Sequence, residues 1–188
     1  LISKHAGKPL WKYLSDLSPE EIVDLVDFRY ITDYLTPDEA LEILRKAKAN
    51  RAENEKALLA NGFPAYTTSA GWLGYSDEKM VRLAKEAVAD GFKLIKLKCG
   101  TDLEDDKRRL KLAREAIGPN VKLAIDANQV WDVNDAIKWI NDLGDVNLHW
   151  VEEPTSPDDV LGHATIAKAI APVKVATGEH VMNRIIFK

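Results

Sequence analysis

The chain has 188 residues, 46% of them apolar and 30% charged, with a formal net charge of −4. That is enough chain to bury a substantial core, and it carries no basic block suited to a nucleic-acid backbone. No apolar run reaches the roughly 18 residues that a membrane span requires, and no secretory pattern follows Leu1. Cys99 is the single cysteine, so an intrachain disulfide is ruled out and a reducing, intracellular setting fits.

Taken in order, Leu10, Trp11 and Leu14 have the spacing of a short amphipathic helix. Ser18-Pro19-Glu20-Glu21 predicts a helix start, with an N-cap serine, a first-turn proline and the glutamate of a capping box. Residues 22–28 read equally as helix or extended chain. Thr36-Pro37-Asp38-Glu39 repeats the capping signature and predicts one long charged helix to about Leu59, stopped by Gly62 and Pro64. Lys46, Lys48, Arg51, Glu53, Glu55 and Lys56 read as its solvated face.

From residue 65 a unit repeats: a short apolar strand, then a capped amphipathic helix. Strands are predicted at 65–69, 92–98, 121–126, 148–152 and 173–179, and a sixth element starts near Asn183. The helices between them carry apolar stripes: Met80, Leu83, Ala84, Ala87 and Val88; Leu103, Leu110, Leu112, Ala113 and Ile117; Ala136, Ile137, Trp139, Ile140 and Leu143. The last stripe is Val160, Leu161, Ile166 and Ala167. Alternation of this kind predicts βαβ units and a parallel sheet. No glycine-rich loop follows any strand, which argues against a nucleotide fold.

Polar residues collect at the C-terminal ends of these strands. Lys96 and Lys98 share a face of the second strand, because side chains i and i+2 point the same way. Two ammonium groups side by side call for negative charge opposite. Asp126, Glu152 and Glu179 supply it, one on each of the next three strands. That edge of a (β/α)₈ barrel is where active sites are built. Three converging carboxylates would repel unless a cation lay between them, and sparse all-oxygen ligation suits Mg²⁺. Glu152 is the ligand of its pair, on one face with Trp150 and Leu148, which leaves Glu153 behind it or in solvent. Asn128 follows Asp126 on the same face and either hydrogen-bonds a substrate oxygen or caps a turn. Nearby positive charge lowers a lysine pKa, which makes Lys98 the candidate general base. Cys99 reads as a packed residue, His5 and His163 as helix-surface residues, and His180 as a substrate contact at the site's edge.

These residues resemble a known family. Lys96-Leu97-Lys98 resembles the Lys-x-Lys motif of the enolase superfamily. Asp126-Ala127-Asn128, Trp150-Val151-Glu152-Glu153-Pro154 and Thr177-Gly178-Glu179-His180 are similar to its metal-ligand strands, in the order of the mandelate racemase subgroup. The stretches Asp27-Phe28-Arg29-Tyr30-Ile31-Thr32-Asp33, Tyr66-Thr67-Thr68-Ser69 and Glu153-Pro154-Thr155-Ser156-Pro157-Asp158-Asp159 resemble the L-fuconate dehydratases and their mitochondrial-type eukaryotic relatives.

The resemblance implies a partial TIM-type (β/α)₇β barrel of about five strands over 64–188. Residues 1–63 would be the tail of an α+β capping domain with its helical connection into the barrel. It implies Mg²⁺ on Asp126, Glu152 and Glu179, with Lys96 and Lys98 as catalytic residues. Lys96, Asn128 and His180 would contact an acid-sugar substrate. Lys98 would remove the proton α to the carboxylate, and loss of water would give a 2-keto-3-deoxy sugar acid. The family's Asp–His dyad would lie beyond Lys188 and the start of the capping domain before Leu1, so the chain reads as a central segment, inactive alone. The complete protein would be a homo-oligomeric lyase, cytoplasmic, or mitochondrial if eukaryotic, with neither nucleic acid nor membrane as partner. The alternatives are a racemase, an epimerase or another sugar-acid dehydratase of the superfamily, or a non-catalytic fragment.

Overall fold

The computed structural model describes residues 1–63 and 65–188. Pro64, read as a helix stop, lies outside the described residues. The chain divides into two compact units, one of Leu1–Phe63 with Asn183–Lys188 and one of Pro64–Met182. Among the described residues no helix is long and apolar enough to cross a membrane.

The first unit is helical: α1 (Ile2–His5), α2 (Leu10–Asp16), α3 (Pro19–Asp24), α4 (Pro37–Ala49) and α5 (Arg51–Asn61), with a 3₁₀ turn at Arg184–Phe187. Both capping boxes form. Ser18 Oγ accepts from Glu21 N at 3.0 Å, and Thr36 Oγ1 accepts from Glu39 N at 3.2 Å. Each glutamate reaches back to its cap N–H, at 2.7 and 2.8 Å. The single long helix predicted to Leu59 is instead two helices, broken at Asn50, whose φ of −99° and ψ of 9° leave the helical path. Asparagine leaves a helix readily because its amide competes for backbone hydrogen bonds. Arg51 and Glu55 are not a free solvated face either. Asp16 gathers Lys8, Lys12 and Arg51, and Lys12 also reaches Glu55 at 2.7 Å. The 3₁₀ turn is where the sixth element was expected. Asn183 caps it through Ile185 N, and Lys188 ties it to Asp33 at 2.9 Å.

The second unit holds a parallel sheet in the order β1 (Thr67–Gly71), β2 (Leu94–Lys98), β3 (Lys122–Asp126), β4 (Leu148–Glu152) and β5 (Lys174–Ala176). Between them run α6 (Asp77–Ala89), α7 (Leu103–Ile117), α8 (Val133–Asp142) and α9 (Val160–Ala169). Each strand pairs with its successor, and right-handed crossovers of that kind put all helices on one side, as in a TIM-type barrel. This is the partial barrel that the strand pattern implies. Ile95, Leu97, Leu123, Ile125 and Val151, all at most 1% exposed, form one core cluster with Met80, Leu110, Ala136 and Ile166 of the helices. Ser76, Asp102 and Asp159 cap α6, α7 and α9 through side-chain oxygens.

Four readings change. The first strand is shifted to 67–71, the second begins at Leu94 and the third at Lys122, because strands start only where pairing begins. The fifth ends at Ala176, so Glu179 lies three residues past it. Leu148 does not share a face with Glu152: a register irregularity between Leu123 and Ala124 pairs Leu123 with Leu148 and Ala124 with Trp150. The extra residue, His149, flips the alternation and packs Leu148 against the helix-side core. In α9 the buried residues are Gly162, His163 and Ile166, while Val160, Leu161 and Ala167 are exposed. His163 is therefore not a surface residue, because its i, i+3 spacing to Ile166 puts it on the face toward the sheet.

Gly71 marks the tightest approach between β1 and β2. A Cβ there would lie 2.5 Å from Leu97 Cα, a backbone atom that cannot yield without moving the strand. Gly71→Ala is expected to destabilise the protein by about 1–3 kcal/mol through overpacking. Urea unfolding checks it, and an unchanged midpoint would refute the close packing.

Candidate active site

Strand pairing assembles the candidate residues. Lys98 is registered with Asp126, and Asp126 with Glu152, at the C-terminal ends of β2, β3 and β4. Lys96 Nζ lies 2.5 Å from Glu152 Oε1 and 3.2 Å from Asp126 Oδ2. Lys98 Nζ donates to Asp126 Oδ2 at 2.6 Å. Lys96 and Asp126 are buried, whereas the Lys98 side chain is 21% exposed and is the one ammonium of the pair that solvent reaches.

The surroundings set the charges. Burial alone would pull Lys96 down, but hydrogen bonds to Glu152 and Tyr66 and the charges of Asp126 and Glu152 outweigh it. The ammonium is held above its ordinary range. Burial pushes Asp126 up, yet hydrogen bonds from Lys98 and the Asn128 N–H, with both lysine charges, bring its carboxyl below the ordinary value. Tyr66, which the sequence offered only as part of a resemblance, packs its ring 4.7 Å from Lys96 Nζ. It also stands edge-on to Trp150, with centroids 5.8 Å apart. A cavity of about 280 Å³ opens here, lined by Tyr66, Trp150, Glu152 and Glu179 among others.

The three acids read as metal ligands do not all meet. Asp126 and Glu152 face the lysines. Among the described residues, ligand atoms within 4.8 Å of one another belong to Glu153, Glu179 and His180. Glu153 is not in solvent but 1% exposed. His180 Nδ1 sits 2.5 Å from its Oε1, Gln129 Nε2 donates to the same oxygen at 3.2 Å, and its Oε2 is buried without a partner. The hydrogen bond to Glu153 and that residue's charge hold the His180 imidazole above its ordinary value. Asn128 is exposed in the left-handed region at φ 47°, two residues past β3, and its N–H donates to Asp126 Oδ1 at 3.0 Å. Asp126, not Asn128, accepts in that turn. Strand alternation therefore fails to place Asn128. Burial pushes the Cys99 thiol well up, which agrees with a packed residue and not a nucleophile.

The sequence reading passed over Gln129 and the enclosure of Glu153. One signal was available for Glu153, an acid directly before a proline at a strand end. Its φ is 45°, where a non-glycine residue is strained, and such strain collects at functional edges. The chemistry of these donors suits a divalent cation, although the three acids do not converge on one point. Asp126 and Glu152 are carboxylates on neighbouring paired positions, Glu179 is a third on the cavity wall, and oxygen ligands select a hard ion.

Comparison with known proteins follows the same lines. Residues 79–188 match the family described as Enolase C-terminal domain-like. Human mitochondrial enolase superfamily member 1 is 52% identical over 100% of this chain and 43% of that protein. Its crystal structure aligns with a TM-score of 0.95, over the same shares of the two chains. L-Galactonate dehydratase of Hypocrea jecorina is 48% identical, again over 100% of this chain and 43% of that one. The crystal structure of an L-talarate/galactarate dehydratase variant, liganded with Mg and L-glucarate, is 34% identical at a TM-score of 0.58, covering 74% of this chain and 36% of that one. The chain thus spans less than half the length of these relatives. On the family match, and on an identity near one half along its whole length, the chain belongs to the enolase superfamily.

Proposed function

We propose that this chain carries the base-bearing and metal-binding part of an acid-sugar dehydratase. The observation that carries the reading is the set of two lysines on β2 meeting two carboxylates on β3 and β4, on one face of the sheet at its C-terminal edge. In this reading Asp126, Glu152 and Glu179 hold Mg²⁺, which when bound supplies Lewis-acid stabilisation of charge developing on the substrate carboxylate. Lys96, buried and held as an ammonium, offsets that carboxylate's charge. Lys98, paired with Asp126 and the more exposed lysine of the two, takes the α-proton onto Nζ. The β-hydroxyl takes a proton from a general acid of the full protein and leaves as water, and the enol that remains tautomerises to a 2-keto-3-deoxy acid. Tyr66, backed by Trp150, covers Lys96, and Asn128 and His180 contact the sugar hydroxyls.

L-Fuconate is the substrate this reading names first, from the segments at 27–33, 66–69 and 153–159. The relative named L-galactonate dehydratase supports the same stereochemical series, since the two acids differ only at the 6-hydroxyl. A cytosolic or mitochondrial location belongs to the proposal as well, supported by the single buried thiol and by the relatives' names.

In the full protein with Mg²⁺, L-fuconate or L-galactonate is expected to yield a 2-keto-3-deoxy acid, read by its semicarbazone. Exchange of the α-proton in D₂O without dehydration would instead identify a racemase or epimerase. Lys98→Ala is expected to cut kcat by about 10²–10⁴-fold, the usual contribution of a general base, while calorimetry shows Mg²⁺ binding nearly unchanged. Asp126→Asn should do the reverse to the calorimetric signal and weaken Mg²⁺ binding sharply. Near-normal turnover in Lys98→Ala would sink the base assignment.

A further inference from the structure

Behind the lysine pair, on the helix side of the sheet, lies a second polar group that the proposed chemistry does not use. Arg109 of α7 is 3% exposed. Its Nη1 donates to Lys98 O at 2.8 Å, and its Nη2 donates to Gly71 O and Trp72 O, both at 3.1 Å. One turn earlier on the same helix, Asp106 is 1% exposed. Its Oδ2 accepts from Gly100 N at 2.7 Å and from Trp139 Nε1 of α8 at 3.1 Å. The Asp106 carboxylate and the Arg109 guanidinium are 3.8 Å apart. Together they grip both ends of Lys98-Cys99-Gly100, the end of β1 and the flank of α8.

Stability alone is a poor account of this arrangement. A guanidinium with almost no solvent, facing one acid and otherwise main-chain carbonyls, is an expensive group to bury. An apolar side chain there would spare the burial of a charge but take the donor from the carbonyls of Lys98, Gly71 and Trp72. What an arginine adds is a rigid planar fork whose donors fix several acceptors at once, which a lysine cannot match. The acceptors it fixes are the carbonyls at the ends of β1 and β2, including that of Lys98 itself.

We infer that Arg109, braced by Asp106, is a positioning residue for Lys98: it pins the Lys98 main chain so that the side chain leaves the sheet toward Asp126. A long lysine stem amplifies any rotation of its backbone, and displacements near 1 Å at a reacting group are costly. The inference rests on the reading of Lys98 as the base only for its effect on turnover. The effect on Lys98 placement is independent of it.

The chain provides its own control. Arg114, also on α7 but half-buried, makes the same kind of carbonyl clamp at the opposite end of the strands, on Gly118 O, Val121 O, Val146 O and Asn147 O. Arg109→Lys and Arg114→Lys are compared in the full protein by amine-selective labelling read by peptide mass spectrometry, without added metal, and by steady-state kinetics. Arg109→Lys alone is expected to raise Lys98 labelling severalfold and to lower kcat by about 10–100-fold, with KM little changed. Equal behaviour of the two variants, or unchanged Lys98 labelling in Arg109→Lys, overturns the proposal. Should Arg109→Lys fail to fold, Asp106→Asn decides in the same way: increased Lys98 labelling supports the brace and unchanged labelling refutes it. Lys98→Ala run alongside separates the failures. If that variant keeps its turnover, the base assignment falls, while the labelling result still judges the clamp.

Discussion

Lys96 and Lys98 leave β2 on the same face, and Asp126 and Glu152 come to meet them from the next two strands. Two positive and two negative groups leave this patch near neutrality, and none of the four can be spared. A buried ion pair adds little net stability, since desolvation offsets its attraction, but removing one partner strands the other and costs about 3–5 kcal/mol. The cluster therefore acts on specificity more than on stability. It fixes β2 against β3 and β3 against β4, because a slip of one residue would set Leu97 opposite Asp126 and turn both lysines into the helix-side core.

Stability comes from the opposite face of the same strands. Ile95, Leu97, Leu123, Ile125 and Val151 alternate with the charged residues and bury almost completely against α6 to α9. One short strand thus does two tasks at a spacing of two residues. The charged face can carry chemistry because its neighbours one residue away supply the packing. Asp106 and Arg109 are polar groups on the packed side, and they reach back to the strand ends that carry the charge.

Much of this was legible in the sequence. The bounds of β4, the caps at Ser18 and Thr36, and the stripes of α6, α7 and α8 follow from local rules, since period and capping chemistry are written in consecutive residues. What was not legible depends on partners far along the chain. The break at Asn50 has no glycine or proline to announce it. The turn of Leu148 away from Glu152 comes from an irregularity opposite Leu123, which no reading of β4 alone contains. His163 and Leu161 exchange their expected places because hydropathy, not helix phase, was allowed to choose the buried face of α9. Glu179 was placed on a strand that ends at Ala176, so its company, Glu153 and His180, could not be foreseen.

Past the strand ends the backbone keeps its order in an unusual way. Asn128, Gln129 and Glu153 all have positive φ, a conformation that costs non-glycine residues about 1–3 kcal/mol each when surroundings impose it. Yet the hydrogen-bond ladder continues through them: Ala127 N to Glu152 O at 3.0 Å, Gln129 N to Glu153 O at 2.8 Å and Glu153 N to Ala176 O at 2.9 Å. The left-handed turns therefore re-aim side chains without releasing the main chain. Glu153 turns inward and is buried, with the exposed His180 and the half-buried Gln129 reaching its Oε1, while Asn128 is left in solvent. Because main-chain bonds hold the edge, the side chains outside the Lys96, Lys98, Asp126 and Glu152 cluster are free of structural duty. That freedom is what a binding edge requires if it is to stay rigid while its recognising groups differ.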